Sequence, residues 1–304
     1  MRILLTGATG FLGAHVARAL VEQGHFASCM VRLGSEARLR LPSRELSERV
    51  SGDLTDPESL FRKPLGCDAV VHLAGITREE PRWGQTFQRV HVEGVWNLID
   101  ACVESEVRRL LHVSALGAAA DAPEPYRSSK FQGEETVRES PMRWTILRPA
   151  MIYGPGNPSL DWMARLTYGA PLLPVLVPGR RTRISPIWVG DLARAIVACL
   201  ERPDTEGQTL EAAGPEVMTV GDMMTALSQA RGVPHWQVGL SPRLARGVAR
   251  WLGRLPGVRR PPGSMDLLDR DHAADAGPFV RATGVELTSM RAGMRLFWDA
   301  RRGR

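Results

Sequence analysis

The sequence predicts an α/β protein: a doubly wound parallel sheet with a smaller, mostly helical C-terminal portion. Three observations carry this. Over residues 1–150, short apolar runs alternate with segments of helical periodicity. Those apolar runs are nearly continuous, as strands covered on both faces require. Beyond about residue 150 the alternation stops, Pro and Gly become dense between 154 and 190, and helical patterns then dominate.

Each element has its own signal. "RILLTG" (2–7) reads as a strand, and "FLGAHVARALVEQG" (11–24) as a helix stopped by Gly24. Strands are expected at 26–32 and 49–54, the second followed by a short helix with Pro57 in its first turn. A strand at 68–75, a long helix at 84–105 and a strand at 108–115 come next. The helix 124–140 and the strand 143–149 close the alternating region. One later strand-like segment, "QTLEAAG" (208–214), suggests that the chain returns to the sheet near 183–215. Helices are expected near 190–202, 219–231, 241–255 and 287–301. The sheet domain is therefore assigned to 1–150 and the smaller portion to 151–304.

Composition excludes several classes. Apolar content of 43% and charged content of 24% suit a globular protein. The stretch "PLLPVLVP" (171–178) is broken by Pro174 and falls short of the roughly 20 apolar residues that a bilayer span needs. No basic segment and long apolar run precede "RILLTG", so no secretory signal is expected. Cys29, Cys67, Cys102 and Cys199 form no C-x-x-C pair. That argues against a zinc site or a disulfide framework and points to a reducing, cytoplasmic setting. The net charge of +6 is concentrated in 241–304, which holds 13 Arg against 6 Asp and Glu. A general nucleic-acid-binding surface is therefore not expected.

"TGATGFLG" places Gly7, Gly10 and Gly13 in a G-x-x-G-x-x-G loop between the first strand and the first helix. Gly7 permits the turn, Gly10 lets backbone approach a pyrophosphate, and Gly13 lets helix pack closely on strand. The helix N-terminus then offers free N–H groups and the positive end of its dipole to phosphate. The end of the second strand reads "CMVRLGS". Val31 stands where a carboxylate would bind the ribose 2′-hydroxyl of NAD(H), and Arg32 follows. A guanidinium there suits the 2′-phosphate of NADP(H), so NADP(H) is favoured over NAD(H). Asp53, ending the third strand, is placed to meet an adenine edge or to cap the helix that starts near Pro57.

"YRSSK" sets Tyr126 and Lys130 four residues apart on one helical face. The chain has only two lysines, Lys63 and Lys130, beside 37 arginines, so a chance match is remote. A free phenol near pKa 10 is a poor base at neutral pH, and a neighbouring ammonium favours its ionisation.

"TGATGFLG", "GDLTD", "HLAG", "VSA", "YRSSK", "LRPAMIYGPGN" and "RISPIWVGDLARAI" (183–196), in this order, resemble the extended branch of the short-chain dehydrogenase/reductase superfamily. The resemblance covers about residues 1–215 and implies a Rossmann-type sheet. The stretch around "YRSSK" is similar to the atypical subgroup that includes the nucleotide-binding accessory subunit of respiratory complex I and bacterial relatives. By this resemblance Tyr126 is the proton donor and acceptor, and Lys130 holds the nicotinamide ribose and lowers the tyrosine pKa. Gly7, Thr9, Gly10, Phe11, Leu12 and Gly13 line the phosphates. Asp53 and Leu54 lie at the adenine side, Ala74 and Gly75 pass the adenosine ribose, and Pro149 to Ile152 flank the nicotinamide.

The chain departs from that pattern at the helpers. Ala115 and Leu116 stand where the superfamily carries its catalytic serine or threonine, leaving Ser114, which either serves the substrate or caps the strand end. His91 stands where a helical asparagine is usual, and reads as a water relay or as a buried structural histidine. In 241–255, Arg243, Arg246, Arg250 and Arg254 share a helical face opposite Leu244, Val248, Trp251, Leu252 and Leu255. This amphipathic helix is either packed on the core or a candidate contact for an anionic membrane or a protein complex. The expected function is hydride transfer between nicotinamide and a carbonyl or alcohol carbon of a small molecule, and a homodimer is the candidate assembly. Epimerase or dehydratase chemistry on the same scaffold, or a catalytically weak nucleotide-binding structural or sensing protein, are the alternatives.

Overall fold

Seven parallel strands form the central sheet of the computed structural model, which describes residues 1–167, 174–233, 236–241, 244, 247 and 270–302. They are β1 (Arg2–Thr6), β2 (Phe26–Val31), β3 (Ser47–Ser51), β4 (Ala69–His72), β5 (Arg109–Val113), β6 (Arg143–Pro149) and, further along the chain, β7 (Gln208–Ala212). The order is β7-β6-β5-β4-β1-β2-β3. The chain runs outward through β2 and β3, then crosses back to lay β4 beside β1. Such a reversal opens a crevice beyond the strand ends, where doubly wound sheets bind their ligands.

Burial explains the nearly continuous apolar strands. Every residue of β4 and β5 is buried, as is every residue of β1 after Arg2. Leu4, Val70, Leu110 and Ile146 pack on one face against Val95, Leu98 and Cys102 of α3 (Gly94–Glu104) and Val137 of α4 (Pro125–Arg138). Alternation sends Ile3, Leu5, Val71 and Leu111 to the other face. That face is covered by α1 (Phe11–Glu22) and α6 (Val189–Glu201), which pack together.

The chain divides into two compact units. The first comprises Met1–Pro149, Val189–Ala212 and Gly277–Glu286 and contains the seven-stranded sheet. The second comprises Ala150–Trp188, Ala213–Ala276 and Leu287–Arg304. In the second unit, α5 (Pro158–Leu166), α7 (Val220–Arg231) and a final helix (Met290–Arg302) enclose a core containing Tyr153, Leu160, Leu227, Met294 and Phe297. Thr219 and Asp222 cap α7 reciprocally at its start, and Gly232, in the left-handed region at φ +79°, ends it.

Several expected boundaries shift. The third strand runs over 47–51, not 49–54, because its N-terminal half is tied in: Ser28 and the Arg2 guanidinium both donate to Glu48 Oε1. The chain then leaves the sheet at Gly52, which abuts the Met30 side chain. The helix expected over 84–105 starts only at 88. Gly84, at φ +67°, instead ends a turn at Pro81–Trp83. Gln88–Glu93 then forms a π-helical turn that feeds α3. The second unit also carries three pairs of two- to four-residue strands that the sequence reading lacked. Most of the amphipathic stretch 241–255 lies outside the described residues. Among the described residues, no helix is long and apolar enough to cross a membrane, and no cluster of metal-ligating side chains occurs.

Candidate active site

The glycine loop is shaped by close backbone contacts. A Cβ on Gly7, whose φ is +72°, would lie 2.8 Å from the Ala74 nitrogen, so the loop rests directly on the end of β4. One on Gly13 would lie 2.2 Å from the Gly7 carbonyl oxygen. Gly10 differs: a Cβ there would meet only the Gly7 oxygen, at 3.1 Å. Gly7 and Gly13 are thus required by the protein's own packing, and Gly10 leaves open space beside the loop. No side chain caps the N-terminus of α1, and its first turn holds no acidic residue. Thr9, Phe11 and Leu12 belong to this same turn. An uncapped helix end beside an open glycine is chemically suited to a pyrophosphate.

At the end of β2, Val31 is buried and Arg32 exposed. Arg32 makes no side-chain hydrogen bond among the described residues, and its carbonyl accepts from the Ser35 N–H at 3.0 Å. Arg38, which the sequence reading passed over, donates from Nη2 to Ser35 Oγ at 2.7 Å. Asp53 does not cap α2 (Pro57–Leu60), whose N-cap is Asp56. Its Oδ1 accepts from both the N–H and the Oγ1 of Thr55 at 2.9 Å, which fixes the carboxylate within its own turn. Leu54 is buried, and its carbonyl accepts from Asn97 Nδ2 at 2.8 Å.

Tyr126, Lys130, Gly75 and His91 meet at the end of the sheet. Lys130 is buried, and its Nζ donates to the Val113 carbonyl at 2.7 Å. A Cβ on Gly75 would lie 3.3 Å from His91 Nε2 and 3.9 Å from Lys130 Nζ. Tyr126 is half-buried, with its ring edge-on to Phe87 at 5.9 Å and to His91 at 5.7 Å between centroids. Pro149 ends β6, where its carbonyl accepts from the Leu116 N–H at 2.9 Å. Ile152 belongs to the second unit and pairs with Ile187. Ser114 is buried; its N–H donates to the Leu147 carbonyl, and its Oγ has no hydrogen-bond partner among the described residues. It therefore does not cap the strand end through its side chain.

The expected lowering of the tyrosine pKa is not found. Burial pushes the Tyr126 hydroxyl up to about 12, and the opposing charge is that of Arg127. The Lys130 ammonium is instead engaged by Val113 on β5. Burial holds Lys130 itself down to about 8 from 10.5, against the raising influence of Glu134. A base with a depressed folded pKa binds fewer protons when folded, so its contribution to stability grows as pH rises from about 8 towards 10.5. Urea unfolding of wild type and Lys130→Met across that window tests this. The variant is expected to lose the upward slope, and identical slopes would contradict the assignment.

Three buried groups near the pair were absent from the sequence reading. His72 on β4 and His112 on β5 are register partners, stacked with ring centroids 5.1 Å apart. Thr6 Oγ1 bonds His72 Nδ1 at 2.7 Å. Burial, reinforced by the charge on Lys130, depresses both imidazoles, His72 to about 3 and His112 well below the ordinary value. Glu134 is fully buried on α4 and accepts two hydrogen bonds from Arg148. The "HLAG" and "LLHVSA" strings contain both histidines, but only strand adjacency stacks them.

The model of the family described as "Epimerase: NAD dependent epimerase/dehydratase family" matches residues 3–221. A protein of Caulobacter vibrioides named ceramide reductase is 33% identical over 245 residues, covering 80% of this chain and 73% of that protein. The mitochondrial NADH dehydrogenase [ubiquinone] 1 alpha subcomplex subunit 9 of Dictyostelium discoideum is 29% identical over 70% of this chain, which matches only 59% of that subunit. Among solved structures, the UDP-glucose 4-epimerase of Thermus thermophilus, in complex with NAD, superposes with a TM-score of 0.76. Its sequence identity is 21%, over all of this chain and 99% of that one, a likeness that concerns the fold.

Proposed function

Because this chain belongs to the NAD dependent epimerase/dehydratase family, we propose that it is an oxidoreductase that reduces a carbonyl of a small, lipid-like molecule, using NADP(H) in preference to NAD(H). The observation that carries the reading is the convergence of Tyr126, Lys130 and Gly75 at the strand ends of the sheet that carries the open Gly10 turn. The residues present fit a dinucleotide. Gly7, Thr9, Gly10, Phe11, Leu12 and Gly13 would hold its pyrophosphate, and Arg32 a 2′-phosphate. Asp53, Leu54, Ala74 and Gly75 would line its adenosine half, and Pro149 its nicotinamide half. When bound, the cofactor supplies the hydride.

The protein's own part is proton transfer and positioning. A phenol held near 12 keeps its proton at neutral pH, so Tyr126 acts as a donor to the carbonyl oxygen. That favours the reducing direction. Lys130, half-way between charged and neutral near pH 8, supplies a positive charge below that pH. Ser114 is assigned a secondary role, since its Oγ is buried. The lipid-like substrate rests on the relative named ceramide reductase. A small-molecule partner, a cytoplasmic location, a homodimer and a membrane or protein-complex contact through 241–255 belong to the same proposal.

The test is consumption of NADPH with ketones of increasing chain length, quinones and nucleotide sugars. Turnover that rises with apolar chain length is expected. A second reading, a nucleotide-binding structural protein, is favoured by Ala115 and Leu116 and by the complex I relative. Absence of turnover on the whole panel, with a protein partner retained in pull-downs, would establish that reading instead. For cofactor choice, Arg32→Ala is expected to weaken NADPH by about 10- to 100-fold, the worth of a charged hydrogen bond to phosphate, and to leave NADH unchanged. Equal losses with both cofactors would refute the preference.

A further inference from the structure

We infer that His91 is a positioning residue, a neutral imidazole locked in one tautomer that ties the Gly75–Ile76 turn to the helix bearing Tyr126 and Lys130, and that it relays no proton in the reaction. The inference rests on the reading of Tyr126 and Lys130 as the reacting pair.

The hydrogen bonds fix the tautomer. The Ile76 N–H points at His91 Nε2 from 3.0 Å, and an N–H can only donate, so Nε2 is bare. Ser129 Oγ donates its proton to the Tyr126 carbonyl at 2.8 Å. It can therefore only accept from His91 Nδ1, 2.9 Å away, and Nδ1 carries the hydrogen. The result is one directed chain: Ile76 N–H to Nε2, Nδ1–H to Ser129 Oγ, and Ser129 O–H to the carbonyl of Tyr126. Both ring nitrogens are occupied by groups that neither need nor release a proton in the reaction.

Backbone geometry delivers the ring to this place. His91 lies in the π-helical turn Gln88–Glu93, a departure from α-helical spacing of the kind found at functional sites. Its carbonyl fills the space where a Cβ on Gly133 would lie, 2.3 Å away, so α4 can approach only because residue 133 is glycine. Phe87 stacks on the imidazole at 5.4 Å and Tyr126 meets it edge-on. The charged and titratable groups around it are Lys130, His72, His112 and Tyr126, and the first two oppose a second proton on the ring. Burial is the larger cause and holds His91 down to about 2.

A relay and a positioning residue make different predictions. The first measurement needs neither substrate nor turnover: long-range proton–nitrogen NMR of the histidine side chains of the full chain, with His91→Gln to assign the signal. His91 is expected to show a protonated Nδ1 and a bare Nε2, unmoved between pH 5 and pH 9. A ring that titrates in that range, or that carries its hydrogen on Nε2, would overturn the inference. The second compares His91→Phe with His91→Gln on any carbonyl substrate found. Phenylalanine keeps the ring and loses both bonds, and kcat is expected to fall about 10- to 100-fold as the pair loses alignment. Glutamine can accept from Ile76 and donate to Ser129 but cannot shuttle a proton, so it should recover most of that loss. Glutamine as damaging as phenylalanine would argue for a relay. If the protein proves not to turn over, the NMR result still decides the state of His91 and bears separately on the enzymatic reading.

Discussion

Tyr126→Phe should lower kcat by about 100- to 10,000-fold, the range spanned by removal of a general acid, with NADPH affinity essentially unchanged. The variant deletes one oxygen and keeps the ring. The edge contacts with Phe87 and His91 remain, and so does the backbone carbonyl that anchors Ser129. What disappears is the proton that burial keeps on the phenol to about pH 12. Stopped-flow turnover and a cofactor fluorescence titration, run on the same preparation, separate the two parameters. A variant with wild-type kcat would remove Tyr126 from the mechanism. A variant that loses NADPH binding in proportion would make the hydroxyl a ligand of the cofactor instead of a donor to the substrate.

Glu134→Ala should destabilise the fold by about 3–5 kcal/mol, as breaking a buried ion pair from one side does. Glu134 is fully buried, and its oxygens accept from Arg148 Nε at 2.8 Å and Nη2 at 2.6 Å, and from Arg138 Nη2 at 2.7 Å. Removing it strands the largely buried Arg148 guanidinium, which loses both of its carboxylate hydrogen bonds, while Arg138 keeps Glu135. The same change bears on the reacting pair. Glu134 is one helical turn beyond Lys130 and is the charge that raises the pKa of that ammonium, so the Lys130 pKa should move further below about 8. Urea midpoints measure the first effect, and the pH dependence of turnover the second. A loss under about 1 kcal/mol, the worth of an exposed pair, would mean that solvent reaches the carboxylate. Glu134→Gln, which keeps some of the acceptors, is expected to fall between alanine and wild type.

The glycine loop was legible because its requirements are local. Gly7 and Gly13 are compelled by atoms within the loop or at the adjacent strand end, so the spacing alone announces them. The same holds for Tyr126 and Lys130, since four residues on an α-helix always share a face. The partner of Asp53 was not legible: its choice of Thr55 over the following helix is settled by a two-residue turn that no spacing rule distinguishes from a cap. The third strand was misplaced by two residues at its start and three at its end because what holds Ser47–Ser51 in the sheet is Glu48, through Ser28 on the adjacent β2 and Arg2 on β1.

The sequence by itself determined the alternation that builds the parallel sheet, the open glycine turn at its first strand, and the face shared by Tyr126 and Lys130. Each follows from chain-local geometry: a period, a turn or a helical repeat. Tertiary structure alone decided the electrostatic state of the pair. Stacking of His72 on His112, burial of Glu134 against Arg148 and closure of His91 between Ile76 and Ser129 all join residues distant in sequence. The hand-off of Lys130 to Val113 in place of Tyr126, and the rise of the Tyr126 pKa, follow from desolvation, which depends on what packs around a group and not on what precedes it in the chain.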